Sequence, residues 1–165
     1  MWTYIKRNYK IILVATGFFL VGNVIAFLLE DYYRQLVRSL FHFFYGDNIR
    51  FYGKNFHLFA SDKFAGSFGL FLSLSFLLLR PSTLYKRIKR ISLAIFLFFA
   101  TTFLITGLDG KRLIIECTAC DDGIRRLTYN QVNYDAYFII SLIAAILFLL
   151  LAYFRRPANK HEQQA

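Results

Sequence analysis

A chain of 165 residues that is 57% hydrophobic, carries twenty Phe and has a mean hydropathy of +0.44 holds more apolar surface than a soluble domain of that length buries around one core. A bilayer is the solvent that this composition fits. The formal net charge of +10 is an excess of the kind that accompanies nucleic-acid binding, but its placement along the chain excludes that partner.

The first ten residues carry Lys6, Arg7 and Lys10, and residues 11–29 follow without Asp, Glu, Lys, Arg or His. Crossing the hydrocarbon takes about 20 helical residues, so this run is long enough to span. It is long for the apolar part of a signal peptide and no small-x-small cleavage site follows, which predicts a retained anchor. Residues 31–44 space Leu36, Leu40 and Phe44 four apart with Val37 and Phe41 beside them, while Arg34 and Arg38 fall on another face. Two outcomes fit that pattern: an amphipathic helix on the outer membrane surface, or a continuation of the first helix. Tyr45-Gly46-Asp47-Asn48 then breaks the periodicity. Residues 49–58 read as a hairpin turning at Gly53-Lys54, with Phe51 facing Phe56, Ile49 facing Leu58 and Arg50 facing His57.

A second apolar run occupies 64–79. Its sixteen residues are short for a span unless Lys63 and Arg80 lay their stems along it and hold their charges at the interfaces. Ala65, Gly69 and Ser73 form a small-xxx-small stripe on it, suited to close helix contact within the chain or with a partner, and Gly17 and Gly22 offer a similar surface on the first run. The loop 80–90 holds Arg80, Lys86, Arg87, Lys89 and Arg90, and the runs 91–108 and 136–154 complete four spans. Between these last two lie both cysteines, in Glu116-Cys117-Thr118-Ala119-Cys120-Asp121-Asp122-Gly123. Residues 113–117 and 124–129 flank that turn as a second hairpin. Two hairpins, each marginal alone, are expected to combine into a small sheet over the end of the bundle.

With four spans, residues 1–10, 80–90 and 155–165 share one side and hold eleven Lys or Arg against Glu162 alone. The loops 30–63 and 109–135 share the other side with nine basic and nine acidic residues. The whole excess charge therefore faces one way, which is the positive-inside arrangement and predicts both termini cytoplasmic. Lys86, Arg87, Lys89 and Arg90 then act as a topology signal and contact anionic headgroups, each worth about 1 kcal/mol near such a surface. That use leaves no basic surface for nucleic acid.

Outside a bacterial inner membrane the environment is oxidising, so Cys117 and Cys120 are expected to pair. Three readings stay open: a turn disulfide, a dithiol that exchanges electrons, and part of a metal site. So short a ring removes little entropy from the unfolded chain, which suits exchange better than stability. Against that, Glu116, Asp121 and Asp122 disfavour a thiolate unless Arg125 and Arg126 fold over the pair. Four-span membrane thiol oxidoreductases resemble this layout but usually use a second cysteine pair, so exchange here requires a quinone or another protein. A zinc site requires His42 or His57 from the other loop, and no metal is predicted. Asp31, His42, Asp47, His57 and Asp62 are placed for a lipid-modifying centre by location only. The sequence has no Walker-type loop, no His-Glu-x-x-His, no Gly-x-Ser-x-Gly and no dinucleotide fingerprint, so no cofactor is expected beyond that quinone. Spans without charge also argue against ion-coupled transport; Asn23 and the Ser and Thr residues of the spans suit a polar path only in an oligomeric pore or carrier.

The expectation is therefore an all-α transmembrane four-helix bundle, one domain over 1–165, N-in and C-in, with a small extracytoplasmic β-hairpin cap from the first and third loops. Its expected role is that of an accessory or scaffolding subunit of a larger membrane complex, with the bilayer and another membrane protein or a second copy as partners. Thiol-disulfide oxidoreduction and an oligomeric pore or carrier are the alternatives.

Overall fold

The computed structural model describes residues 2–52, 61–79, 83–115, 124–128 and 131–155. Four helices dominate: α1 (Trp2–Tyr45), α2 (Asp62–Leu79), α3 (Leu84–Ile115) and α4 (Tyr134–Phe154). Strand β1 (Ile49–Tyr52) follows α1, and strand β2 (Arg125–Thr128) follows α3. All four helices contain a stretch long and apolar enough to cross a membrane. The chain thus repeats one unit twice, a long helix, a short strand and a shorter helix.

Local chemistry sets the ends of these elements. Ser61 Oγ accepts the Phe64 N–H at 3.1 Å at the start of α2, and Asn133 Oδ1 accepts the Ala136 N–H at 3.1 Å at the start of α4. Asp62 and Asp135 sit in the first turns, where the helix dipole favours a carboxylate. The long helix α1 ends at Gly46, whose φ of +52° is the left-handed conformation that glycine adopts most readily after a helix.

Residues 31–44 are the continuation of α1, and no separate surface helix forms there. At about 1.5 Å per residue the 44-residue helix is some 66 Å long, roughly twice a hydrocarbon core. What holds the extension is a buried stripe at helical spacing: Glu30, Tyr33, Arg34, Val37 and Phe41 all face the other helices. The expectation that Arg34 falls on another face from Val37 and Phe41 is corrected by this stripe, which it shares with them.

α1 packs on α2, α2 on α4 and α4 on α3, and α1 also crosses α3. Backbones approach closely where Gly22 meets Gly69: a Cβ on Gly22 would lie 2.7 Å from the Gly69 Cα. Gly17, by contrast, faces open space. Further along, α1 leans on α3. The Phe44 ring covers Gly107, the Tyr45 ring lies against Gly110, and the Tyr45 hydroxyl donates to the Gly107 carbonyl.

The two strands pair with each other in parallel, in the register Ile49↔Arg125 to Tyr52↔Thr128. Among the described residues each loop contributes one strand to a shared ladder, and this corrects the second expected hairpin, whose arm at residues 113–115 completes α3 instead. The direction follows from the helices: α1 and α3 run the same way, so the strands that leave them return the same way. Pairing across the loops buries Ile49 and Leu127 in the main core, with Phe51 5.9 Å from Phe41 between ring centroids, whereas a lone hairpin would have left that face uncovered. Residues 53–58 of the first expected hairpin and 116–123 of the second lie outside the described residues.

Among the described residues, most buried apolar side chains fall into two groups. A large one at the sheet end joins Tyr33, Val37, Phe41, Phe64, Leu127, Tyr137 and Phe138, among others. A small one at the opposite end, where the basic residues of α3 lie, comprises Leu79, Ala94, Ala145 and Leu149.

Candidate functional site at the sheet end of the bundle

Glu30 terminates the charge-free run of α1, and Arg34 lies one turn beyond it. Arg34 Nε and Nη2 both donate to Glu30 Oε1, at 2.9 and 2.5 Å, and the two side chains are only 7% and 3% exposed. Glu30 Oε2 accepts the Ser61 N–H at 2.8 Å, and Ser61 Oγ donates to Asp135 Oδ1 at 3.0 Å. The Arg34 guanidinium also lies over the Tyr134 ring, 4.9 Å from its centroid, an attraction that strengthens when desolvated. A buried ion pair is tolerable only when its remaining lone pairs are also satisfied. Here both carboxylate oxygens are engaged, and the group ties α1 to the starts of α2 and α4.

A second carboxylate repeats the device. On α3, Asp109 Oδ1 pairs with Arg112 at 2.9 Å, and Oδ2 accepts the hydroxyl proton of Tyr137 on α4. Each long helix therefore carries an acid followed one turn later by an arginine, and each acid reaches the start of a shorter helix.

Nearer the bundle's middle the polar groups are hydroxyls. Thr102 directs its proton to the Phe98 carbonyl at 3.0 Å, which leaves Ser141 as the donor across the 2.9 Å contact between their oxygens. Tyr33 Oη lies 3.4 Å from Thr102 Oγ1. Around them Phe138 stacks on Phe64 at 3.7 Å between centroids and meets Tyr33 edge-on at 5.0 Å and Phe98 at 5.5 Å. Such ring pairs add to area burial by their geometry.

This arrangement fastens helices: the oxygens of Glu30 and Asp109 all have internal partners. Among the described residues no group of three or more His, Cys, Asp or Glu could hold a metal. Asp31 and Asp62 are exposed and His42 bonds to the Gly46 carbonyl at 3.1 Å, so these three do not converge. His57, Cys117 and Cys120 lie outside the described residues, as does the Asp47 side chain. On α2, Ala65 and Gly69 are buried and Ser73 borders a shallow groove beside Ala15 and Phe19 of α1. On α3, Lys86 and Lys89 are exposed while Arg87 and Arg90 are half-buried.

Most span hydroxyls are spent on their own helices. Thr16, Ser67, Thr101 and Thr106 donate to carbonyls three or four residues earlier, and Asn23 Nδ2 turns back to the Phe19 carbonyl at 2.8 Å. The residues that sequence reasoning missed are Glu30, Arg34, Asp109 and Tyr137. A signal existed: Glu30 and Arg34 stand at i and i+4 on the stripe shared with Tyr33, Val37 and Phe41. Comparison of this chain with protein-family models, with curated proteins and with solved structures finds no match.

Proposed function

We propose that this chain is a small structural subunit of a bacterial inner-membrane complex, with both termini cytoplasmic, the sheet end extracytoplasmic and Cys117 and Cys120 joined there as a turn disulfide. One observation carries the structural role: the carboxylates of buried Glu30 and partly exposed Asp109 at the sheet end are consumed in joining helices, which is what a scaffold requires and what a catalytic or proton-relaying site does not. The orientation is supported by the one-sided basic residues. Lipid-facing helix surfaces and the sheet end remain for contact with a larger partner.

Affinity purification after extraction in a mild detergent tests the role. Recovery of a stoichiometric membrane partner, or a defined homo-oligomer, is the expected result. A stable monomer that brings down nothing would overturn it. Orientation is checked separately with single cysteines placed at Lys86 and Arg126 in a chain lacking Cys117 and Cys120. An impermeant thiol reagent applied to whole spheroplasts should label the second and spare the first.

The cysteines provide a third readout, by alkylation shift in intact membranes across thiol buffers. A potential below about −300 mV marks a structural staple, whereas one at about −120 to −230 mV marks an exchanging dithiol and would replace the scaffold reading with electron transfer.

A further inference from the structure

The basic end of the bundle contains a crevice of about 460 Å³ walled by all four helices, including Phe18 of α1, Phe71 and Ser75 of α2, Arg87 and Ala94 of α3, and Leu149 of α4. That volume falls within the roughly 300–1,000 Å³ of small-ligand sites. Its mouth opens sideways to the bilayer: Phe18, Ile91 and Ile95 on its rim are 41%, 43% and 50% exposed. Phe18 and Phe76 stack across α1 and α2 at 5.0 Å and border the opening.

Two features make this more than an unfilled apolar gap. Arg87, Ile91 and Ala94 lie on one face of α3, at i, i+4 and i+7, so a guanidinium stands at the basic end of an otherwise apolar wall. Arg90, half-buried one turn on, and Lys86 and Lys89 add positive charge around that end. Each guanidinium has five donors, so intramolecular bonds leave donors for a phosphate. The second feature is Ser75. Its Oγ is buried and has no hydrogen-bond partner in the protein, unlike the hydroxyls of Thr16, Ser67, Thr101 and Thr106. It lies one helical turn before Leu79, the end of α2, on the basic side of the span.

We infer that the crevice binds one anionic glycerophospholipid from the leaflet at the basic end. An acyl chain enters between α1 and α3, the phosphate meets Arg87 and Arg90, and the Ser75 hydroxyl donates to an ester carbonyl. The inference uses the four-span reading but not the subunit proposal.

The test uses the full chain in nanodiscs of phosphatidylcholine containing a small fraction of phosphatidylglycerol with a photoactivatable group on one acyl chain. Crosslinks should concentrate on crevice residues such as Phe71, Phe76 and Ile95, and phosphatidylglycerol should be retained over phosphatidylcholine in mass spectra of the released protein. Arg87→Gln should lower that preference at least about tenfold, the scale of one charge-assisted hydrogen bond, while Lys86→Gln changes it far less. Ser75→Ala should reduce phosphatidylglycerol retention without altering helix content. Equal loss in the Arg87 and Lys86 variants would show general surface attraction and overturn the site. So would crosslinks spread evenly onto lipid-facing Leu13 and Leu28, or capture of a protein helix at Phe18 and Ile95 in place of lipid.

Discussion

The two ends of this bundle are built differently. At the sheet end the helices are joined by saturated carboxylates, a hydroxyl chain and interlocked rings; at the basic end, among the described residues, the smaller buried group is Leu79, Ala94, Ala145 and Leu149, beside an open crevice. Within a membrane, burial of apolar side chains does not itself drive helices together, because lipid tails are equally apolar. Cohesion must come from packing and hydrogen bonds, and these are concentrated at the sheet end. The basic end is left with a smaller buried group and the crevice.

The largest effect is expected at Glu30. In Glu30→Gln the carboxylate is lost while Arg34 stays buried beside Tyr134 and the start of α2 loses a charged acceptor. Removing one member of a buried pair costs about 3–5 kcal/mol, readable as a shift in denaturant unfolding in micelles. The double variant Glu30→Gln, Arg34→Met should recover part of that loss, since removing both charges leaves no orphan. A single variant as stable as the parent chain would break the comparison, because it would mean that the sheet end is not held by its charges.

The α1–α2 crossing gives a middle-sized effect. Gly22→Ala places a methyl 2.7 Å from the Gly69 Cα, so the helices must part; overpacking of this kind costs about 1–3 kcal/mol. Gly17→Ala, facing open space, should be neutral or stabilise by up to about 1 kcal/mol, the usual gain from removing glycine inside a helix. Similar losses at both positions would show that backbone freedom, and not the crossing, sets the sensitivity.

How much of this was legible in the sequence differs between the ends in the same way. The spans were legible because charge-free runs of membrane length have few other uses, and the basic loop was legible because its charges cluster. Helix lengths were less so: α3 extends beyond 91–108 at both ends, since Asp109 and Arg112 continue the helix although they end the apolar run. Arg34 was set on another face from Val37 and Phe41 because its charge separates it from an apolar stripe, and only its surroundings, the Tyr134 ring and a Glu30 carboxylate held by Ser61, show why it is buried with them. The parallel ladder could not be read from either loop, because a strand's partner depends on where the other loop arrives. The crevice was equally hidden, being a space left between four helices and not a pattern along any one of them.

The smallest effect compares two hydroxyls. Thr102 and Ser141 face each other across α3 and α4 at 2.9 Å, and a double-mutant cycle with Thr102→Val and Ser141→Ala should return a coupling of about 0.6 kcal/mol, the average for such bonds between membrane helices. Ser75 has no protein partner, so Ser75→Ala should leave detergent stability unchanged or raise it slightly in the absence of lipid, because a buried hydroxyl without a bond is itself a cost. Added phosphatidylglycerol should then stabilise the parent chain more than the Ser75 variant, by the usual mass-action gain of a ligand that binds only the folded state. If lipid stabilises both equally, Ser75 is a packing residue and the basic end owes its openness to loose packing alone; if the Thr102–Ser141 coupling is also absent, the sheet end is held by its rings and carboxylates without the hydroxyls.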